Sequence, residues 1–288
     1  MRVLILGGDG MLGHQLFTQL RGRFEARVTL RQDYSAYRDL GLFQPDEIYT
    51  GIDVRVTDRL LGVLADFRPE YVVNAVGMVK QRPEGQEHIA NLEVNALLPH
   101  RLALICRSVG AGLVHISTDC VFSGRRGRYS ETDEPDPVDV YGYSKLLGEA
   151  TGPGVLTLRT SIIGLELLRH TSLIEWFLAQ RGPIKGYRQA IFSGFTTHEL
   201  SRIIERLITR YTGASGLYHV SSAPISKHEL LVKLRDRIGR DIEIAPDDTT
   251  RCDRSLDSAR FRSTFDYTPP LWDDMIEELV AEIRKRQK

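Results

Sequence analysis

The sequence predicts an α/β protein: a doubly wound parallel sheet with helices on both faces and a smaller C-terminal region. Short β-branched runs alternate with longer segments of helical apolar spacing through the first half of the chain. A glycine-rich turn joins the first run to the first such segment, and the alternation loosens after Arg159. Strands separated by helices indicate parallel pairing, because a parallel connection needs a crossover of about a dozen residues or more.

The first half contributes the predicted strands and helices of the main sheet. The strands are Val3 to Leu6, Val28 to Leu30, Tyr71 to Ala75, Leu113 to Ser117 and Val155 to Leu158. The helices are Met11 to Leu20, Asp58 to Phe67, Leu92 to Val109 and Tyr141 to Ala150. This order predicts a Rossmann-type sheet.

The second half contains helical patterns interrupted by one strand candidate, "GLYHVSS" from Gly216. The helices are Ser172 to Gln180, Glu199 to Tyr211, Lys227 to Ile238 and Trp272 to Lys285. We therefore expect a nucleotide-binding domain over residues 1–160, to which about 190–222 return, and a substrate-binding region formed by 161–189 and 223–288.

Composition excludes several classes of partner. The 38 basic residues balance 38 acidic ones, so we expect neither a nucleic-acid nor a membrane partner. The three cysteines leave an odd count without metal-type spacing, which favours a reducing, cytoplasmic location. No run approaches the roughly 18 apolar residues of a spanning helix, and Val3 to Leu6 stops in glycine, so we expect no anchor or signal peptide.

A GxxGxxG pattern follows the first strand, in "GGDGMLGHQL". A tight strand-to-helix turn needs a residue without Cβ, and Gly7 supplies it. Gly10 leaves room for a pyrophosphate at the helix N-terminus, and Gly13 permits close packing of helix on strand. Its position in an alternating chain favours a dinucleotide-binding turn over an ordinary tight turn.

The segment "DVYGYSK" contains two tyrosines and a lysine. Residues four apart share a helix face, so Tyr141 neighbours Lys145 and Tyr143 does not. A free phenol has a pKa of about 10, and an adjacent ammonium stabilises the phenolate. The spacing therefore predicts that Tyr141 is a proton donor supported by Lys145, and a solvated helix-face pair is the alternative.

A hydroxyl residue ends the strand in "HISTDCVFSG". Thr118 lies at the carboxyl edge of the predicted sheet, where open α/β sheets bind ligands. Its hydroxyl can donate a hydrogen bond to a substrate carbonyl while Tyr141 supplies a proton. The glycine turn, this hydroxyl and the Tyr-x-x-x-Lys pattern together predict the catalytic residues Thr118, Tyr141 and Lys145.

These motifs resemble the extended short-chain dehydrogenases/reductases, and most closely the dTDP-4-dehydrorhamnose reductase group, over nearly the whole chain. "STDCVFSG" is similar to that group's STDYVFDG, "YSETDEPDPVDVYGYSKLLGE" to its ETD…P…YG..K..GE segment, and "VVNAVG" to its strand ending in NAA. The resemblance implies reduction of a nucleotide-linked 4-keto-6-deoxysugar with NADPH or NADH. Cys120 departs from the pattern, since the group usually has tyrosine there.

The resemblance also implies roles for individual residues. Tyr141 and Lys145 would contact the cofactor in addition to their catalytic roles, and Lys145 would bind the nicotinamide ribose. The other implied cofactor residues are Gly7, Gly10, Met11 and Leu12 at the pyrophosphate, Asp53 and Val54 at the adenine, and Ala75, Val76, Gly77 and Asn95 below the cofactor or the active site. Asp53 as a helix cap and Asn95 as a surface residue are the alternatives.

Three further cations carry predictions about ligands. The strand "RVTLR" ends at Arg31, whose guanidinium could face a 2′-phosphate where NAD enzymes carry an acid, although Asp33 is nearby. NADPH is therefore expected to be accepted at least as well as NADH. With Thr118 at the carbonyl, Lys185 and Arg254 are the candidates for the substrate diphosphate, and we expect each to lie in a loop. No metal is predicted, because position 202 is arginine after His198-Glu199 and position 232 is valine after His228-Glu229.

Alternative functions stay open at this point. A nucleotide-sugar epimerase would use the same bound cofactor without net reduction. A non-catalytic regulatory subunit of the methionine adenosyltransferase type is the other alternative, although intact Thr118, Tyr141 and Lys145 make pure scaffolding less expected. The sequence also leaves the oligomeric state open, with a homodimer as the candidate.

Overall fold

A computed structural model describes residues 1–79 and 87–287 of the chain. The strands, in chain order, are β1 (Arg2–Leu6), β2 (Glu25–Thr29), β3 (Ile48–Tyr49), β4 (Tyr71–Asn74), β5 (Gly112–Thr118), β6 (Val155–Thr160), β7 (Ile162–Ile163), β8 (Ile184–Tyr187), β9 (Ala190–Phe192), β10 (Phe195–Thr196), β11 (Gly216–His219), β12 (Ile225–Ser226), β13 (Ile244–Asp247) and β14 (Cys252–Asp253). The α-helices are α1 (Met11–Leu20), α2 (Thr57–Phe67), α3 (His88–Asn91), α4 (Leu98–Val109), α5 (Val140–Leu147), α6 (Leu173–Ala179), α7 (Thr197–Arg210), α8 (Lys227–Ile238), α9 (Ala259–Thr264) and α10 (Trp272–Arg286).

The main sheet has seven strands in the order β11-β6-β5-β4-β1-β2-β3. Strand β1 pairs in parallel with β2 on one side and with β4 on the other, and the pairs β2/β3 and β4/β5 are parallel as well. The strand order therefore reverses at β1, and ligands bind outside the carboxyl ends of strands at such a switch point. The predicted doubly wound α/β fold is confirmed.

The central strands are buried on both faces. Leu4 and Leu6 of β1 belong to an apolar cluster with Leu64 of α2 and Leu102 of α4. Val3 and Ile5, which alternate with them, are also fully buried. Helices on both faces explain why these strands read as continuous apolar runs.

The long helix predicted from Leu92 to Val109 is interrupted in the structure. A π-helical segment, Leu92–Leu97, lies between α3 and α4. Pro99, in the first turn of α4, has no N–H to donate to the Asn95 carbonyl, so the regular i to i−4 ladder cannot continue there. The ideal Cβ of Gly148, just after α5, would lie 1.8 Å from that carbonyl oxygen, so the two backbones touch.

Asp53 and Val54, the residues assigned to the adenine, lie after β3 and not within it. Strand β3 stops at Tyr49, and Asp53 and Val54 lie in the turn before α2. The alternative that Asp53 caps a helix is wrong, because Val56 is the N-cap of α2 and the Asp53 carboxylate accepts the Arg55 backbone N–H instead.

The chain divides into two compact units. The first comprises Met1–Ser117, Asp139–Leu158 and Ser201–Leu217, and the second comprises Thr118–Val138, Arg159–Leu200 and Tyr218–Lys288. The domain boundaries inferred from the sequence stay a prediction. In the second unit β8 pairs in parallel with β13, and β9 lies between β12 and β14. Helix α8 packs on β8 and against α10. Among the helices of 1–79 and 87–287, none is long and apolar enough to span a bilayer.

Candidate active site

The glycine turn after β1 is built by close backbone approaches. Gly7 has a φ of 82°, in the left-handed region that favours glycine, and its ideal Cβ would lie 2.9 Å from Val76 Cγ2. The Gly10 N–H donates to the Gly7 carbonyl at 3.0 Å. A Cβ on Gly13 would lie 2.0 Å from that carbonyl oxygen, so only glycine lets α1 start here. The structure thus brings the three predicted glycines and Val76 together.

The N-terminus of α1 is suited to an anion. Gly10 is the N-cap and offers no side-chain hydrogen bond to the first turn, which begins with Met11 and Leu12. The first N–H groups of a helix point outward and carry partial positive charge, so they suit a pyrophosphate. Gly8 was missed by the sequence analysis: its ideal Cβ would lie 2.6 Å from Val28 Cβ, and the double glycine of "GGDG" was the available signal.

Arg31 and Asp53 lie near each other beyond the ends of β2 and β3. Arg31 is exposed and sits two residues after the last residue of β2. Arg55 donates to both carboxylate oxygens of Asp53, which lowers the pKa of Asp53 to about 2, and Arg31 adds a weaker effect in the same direction. Val54 packs against the apolar core beside these charges.

Asn95 holds the segment that follows β4. Its Oδ1 accepts the Met78 N–H at 2.9 Å, and its Nδ2 donates to the Met78 carbonyl at 3.1 Å. The same Nδ2 lies 3.1 Å from Ser144 Oγ on α5, and Ser144 in turn donates to the Tyr141 carbonyl at 2.9 Å. Asn95 is fully buried, so the surface alternative is wrong. Ala75, Val76 and Gly77 precede the clamped Met78 in the chain.

Tyr141 and Lys145 lie one turn apart on α5. Helix α5 begins at Val140, because the Asp139 side chain caps it by accepting the Gly142 N–H at 2.8 Å. Tyr141 is half-buried, whereas Tyr143 is 55% exposed. The two tyrosines therefore differ as the helical spacing predicts.

Lys145 is a buried cation. Its side chain is 4% exposed, and Nζ donates to the Ile116 carbonyl of β5 at 2.6 Å. Burial lowers the pKa of Lys145 to about 8, and the charge of Glu149 opposes this shift. Glu149 also accepts a hydrogen bond from Ser117 Oγ at 2.7 Å. The Lys145 ammonium is thus mostly charged at neutral pH and loses its proton as the pH rises through about 8.

Two buried polar residues near Lys145 were missed by the sequence analysis. Asn74, at the end of β4, pairs with His115 Nδ1 at 3.1 Å, and its Oδ1 accepts the Val76 N–H. Complete burial, with the Lys145 charge as a smaller cause, lowers the pKa of His115 well below its usual value. His115 is therefore neutral. The available signal was a polar residue within each of two otherwise apolar strands.

Thr118, the last residue of β5, belongs to the second unit and is buried. Its hydroxyl oxygen accepts the Cys120 N–H at 3.1 Å and donates to Asp119 Oδ1 at 3.2 Å. It caps the short 3₁₀ helix Asp119–Val121. The hydroxyl is thereby fixed in direction at the end of the strand.

Arg254 lies beside the same segment of the second unit. Its Nε donates to the Phe122 carbonyl at 2.8 Å, and one terminal nitrogen lies 3.7 Å from Cys120 Sγ. Cys120, where the resembling group usually has tyrosine, thus contacts the Arg254 guanidinium through its sulfur and Thr118 through its backbone N–H. Arg254 follows β14 directly, in a loop as predicted.

Lys185 is placed differently from the prediction. It lies within β8 rather than in a loop, because the β13 pairing extends the strand through it. Its side chain is 71% exposed, and Nζ lies 3.1 Å from Asp247 Oδ2. The Asp247 carboxylate therefore already neutralises part of the Lys185 positive charge. In the described residues, no group of three or more histidine, cysteine or acidic side chains could hold a metal ion.

The chain matches a protein-family model and is similar to several known proteins. The family model described as RmlD substrate binding domain matches residues 1–285. The beta subunit of methionine adenosyltransferase 2 from Danio rerio is 30% identical over 250 residues, which cover 82% of this chain and 73% of that protein. A dTDP-4-dehydrorhamnose reductase from Aggregatibacter actinomycetemcomitans is 28% identical over 248 residues, covering 82% of this chain and 78% of that one.

A solved structure extends this comparison to the fold. The dTDP-4-dehydrorhamnose reductase of Bacillus anthracis, in complex with NADP, matches with a TM-score of 0.77 and 24% identity. The match covers 98% of this chain and 99% of that one. At this level of identity, the likeness establishes the fold.

Proposed function

This chain belongs to the family described as RmlD substrate binding domain, and from this premise we propose that it reduces the keto group of a nucleotide-linked 4-keto-6-deoxysugar with NAD(P)H. The product alcohol would serve sugar-nucleotide or surface-polysaccharide biosynthesis. The relatives named as dTDP-4-dehydrorhamnose reductases support this reaction class. The glycine turn fits a dinucleotide, because Gly7 and Gly13 permit the close approaches that form the tight turn, and the N-cap Gly10 has no side chain to obstruct the helix N-terminus.

The residues of α5 carry the proton chemistry. A bound nicotinamide dinucleotide supplies the hydride. Tyr141 then protonates the resulting alkoxide oxygen to give the alcohol, and Lys145 stabilises the phenolate that remains on Tyr141. Lys145 also holds the nicotinamide ribose. Thr118 polarises the carbonyl once its single O–H turns from Asp119 Oδ1 to the carbonyl oxygen, and this hydrogen bond strengthens as negative charge develops on that oxygen.

One observation carries the proposal: a buried lysine lies one helical turn after a half-buried tyrosine on α5. A solvated helix-face pair, the alternative, would leave Lys145 in water, and Lys145 is 4% exposed. A buried ammonium costs solvation free energy, so its retention next to Tyr141 favours a chemical role.

Two arginines are proposed to contact the ligands, Arg31 the coenzyme and Arg254 the substrate. We propose that Arg31 faces the 2′-phosphate of NADPH, so that NADPH is used at least as well as NADH. Asp53 and Val54 lie at the adenine, and Asn95 supports the segment Ala75 to Gly77 beneath the cofactor. Arg254 and Lys185 are proposed to bind the substrate diphosphate, with Arg254 the stronger ligand because it is anchored beside the Thr118 segment.

The test is an assay of purified protein and NADPH against dTDP- and UDP-linked 4-keto-6-deoxysugars. Stoichiometric NADPH oxidation with formation of the alcohol is expected. A product epimerised at another carbon without cofactor consumption would reject reduction in favour of an epimerase.

A second candidate is favoured by the likeness to the Danio rerio methionine adenosyltransferase subunit. A regulatory role of that type predicts NADPH binding without turnover on any keto sugar. It also predicts stable association with a methionine adenosyltransferase catalytic subunit in size-exclusion chromatography. Turnover on any member of the sugar panel would exclude a purely non-catalytic protein.

We further propose a cytoplasmic homodimer. Within the described residues no disulfide joins Cys106, Cys120 or Cys252, which suits a reducing compartment. Leu104 of α4 and Leu147 of α5 are 58% and 59% exposed on neighbouring helices, and a two-fold axis could bury both. Light scattering should show a dimer that Leu104→Glu dissociates and Leu271→Glu does not. A monomeric wild type would reject this assembly.

A further inference from the structure

A buried tyrosine outside the catalytic set connects the glycine turn with the loop after β2. The Tyr37 side chain is fully buried. Its hydroxyl donates to Asp9 Oδ2 at 3.2 Å and accepts the Gln32 backbone N–H at 3.1 Å. Asp9 lies inside the glycine turn, and Gln32 directly follows Arg31. The Tyr37 hydroxyl therefore connects the proposed pyrophosphate site with the backbone next to Arg31, the residue proposed to contact the 2′-phosphate of NADPH.

The Tyr37 ring is held in place by aromatic neighbours. Phe43 meets it edge-on, with ring centroids 6.0 Å apart and planes at 85°. Phe43 also stacks on Phe17 of α1, with centroids 5.7 Å apart. The aromatic cluster anchors the hydroxyl to α1, the helix that begins at the glycine turn.

The backbone on both sides of Arg31 is fixed by hydrogen bonds. The Gln32 carbonyl accepts the Gly51 N–H at 3.2 Å, and the Leu30 N–H donates to the Tyr49 carbonyl at 2.8 Å. With Tyr37 on its N–H, Gln32 is bonded at both of its backbone groups. The direction in which Arg31 leaves the chain is set by these neighbours.

We propose that Tyr37 is a positioning residue for coenzyme choice, which holds Arg31 at the 2′-phosphate and thereby sets the preference for NADPH over NADH. This inference rests on the proposed coenzyme role of Arg31. NADPH and NADH share every group except the 2′-phosphate, so both make the same contacts with the glycine turn. A displaced Arg31 therefore weakens NADPH selectively.

Loss of the phenol has a defined structural consequence. Tyr37→Phe keeps the ring in its aromatic cluster but leaves the Gln32 N–H without its acceptor. An unsatisfied backbone N–H is unfavourable away from water, so the loop relaxes toward solvent and carries Arg31 with it.

The experiment measures the dissociation constants of NADPH and NADH on the full chain by fluorescence titration. Tyr37→Phe should raise the Kd for NADPH about tenfold and that for NADH less than about twofold. The matched control is Tyr34→Phe, which removes a hydroxyl from the same loop. Tyr34 donates to the Phe43 carbonyl at 3.5 Å, so its loss should change both constants by less than about twofold.

A second variant tests the same hydrogen-bond network in case Tyr37→Phe fails to fold. Asp9→Ala removes the acceptor on the other side of the hydrogen bond, and it should lower the NADPH preference in the same direction. It also removes a negative charge, which by itself would favour the more highly charged NADPH, so a lowered NADPH preference in Asp9→Ala cannot come from that charge. The ratio of the two constants is the readout. In the double variant the two effects on that ratio should overlap rather than add.

Equal weakening of NADPH and NADH by Tyr37→Phe, or a change in the ratio no larger than that of Tyr34→Phe, would overturn this inference while leaving the proposed function intact. A wild type that binds neither coenzyme would overturn both. A wild-type preference for NADH that survives Arg31→Ala would remove the role of Arg31 and this inference with it.

Discussion

The glycine contacts of the first unit and the two candidate cations of the second unit are held in place by different means. In the first unit, backbone meets backbone: a Cβ would lie 2.0 Å from the Gly7 carbonyl oxygen at Gly13 and 1.8 Å from the Asn95 carbonyl oxygen at Gly148. In the second unit, long side chains reach their partners, as Arg254 reaches the Phe122 carbonyl and Lys185 reaches Asp247. Close backbone contact leaves a spacing of glycines in the sequence, whereas a flexible cation leaves no comparable pattern.

This difference has a consequence for substitution. A methyl group added at Gly13 has no low-energy position, because the neighbouring backbone cannot rotate away. The half-buried Arg254 and the exposed Lys185 reach their partners through flexible side chains, which can be truncated without displacing the backbone. We therefore expect large, localised losses in the first unit and graded losses in the second.

The largest effect is expected at α5. Tyr141→Phe should lower kcat at least about a hundredfold, since a general acid typically contributes that much, with little change in the Kd for NADPH. Tyr143→Phe is the control and should lower kcat less than about twofold, because that side chain is 55% exposed. Steady-state rates with a nucleotide-linked keto sugar measure both. Equal losses in the two variants would refute the helix-face assignment.

At the glycine turn, Gly13→Ala should raise the Kd for NADPH about thirtyfold, because the Cβ must push the start of α1 away from the pyrophosphate site. Gly22→Ala is the matched control, since no atom lies within 4 Å of its ideal Cβ. Fluorescence titration measures both. Retention of wild-type affinity in Gly13→Ala would mean that the turn does not bind the dinucleotide.

The pH dependence tests the buried ammonium of Lys145. Its pKa is lowered to about 8, so the ammonium loses its proton as the pH rises through that value. The kcat/KM for reduction should then fall about tenfold per pH unit above 8, because the neutral amine no longer stabilises the phenolate. In Lys145→Arg the side chain stays charged, so kcat/KM should not fall as the pH rises above 8. A wild-type profile that is flat to about pH 10, or the same fall in Lys145→Arg, would contradict the assignment.

The smallest effect is expected in the second unit. Arg254→Ala should raise KM for the nucleotide sugar about fivefold, the loss of roughly one hydrogen-bonded ion contact, with kcat nearly unchanged. Lys185→Ala should raise KM less, because Asp247 already pairs with that ammonium. A larger effect at Lys185 than at Arg254 would reverse this ranking and weaken the contrast between the units.

The sequence predicted the first unit closely, because its requirements are local. Met11 to Leu20 matches α1 residue for residue, since a strand, three glycines and a helical apolar stripe define it. The family and the fold were confirmed, and the activity is supported by the named relatives. The interruption of the long helix at Leu92–Leu97 was not predicted, because it depends on Pro99 together with a contact to Gly148, fifty residues away.

Tertiary contacts account for the other differences. His115 and Asn74 become partners only when β4 and β5 pair, so neither strand alone reveals the pair. Lys185 was expected in a loop, and pairing with the distant β13 makes it part of a strand. The substrate roles of Lys185 and Arg254 stay proposals, because a single lysine or arginine in a sequence does not indicate which anion it binds.

The central claim, hydride transfer to a sugar carbonyl with Tyr141 as the proton donor, is tested most directly by isotope transfer. The protein is incubated with NADPH deuterated at the transferring position of the nicotinamide and with a dTDP-linked 4-keto-6-deoxysugar. The expected product is an alcohol carrying one deuterium on the former carbonyl carbon, formed in proportion to the cofactor oxidised, and Tyr141→Phe should form it at least about a hundredfold more slowly. An alcohol without deuterium, or an isomerised sugar with the cofactor unconsumed, would contradict hydride transfer from the nicotinamide to the sugar carbonyl.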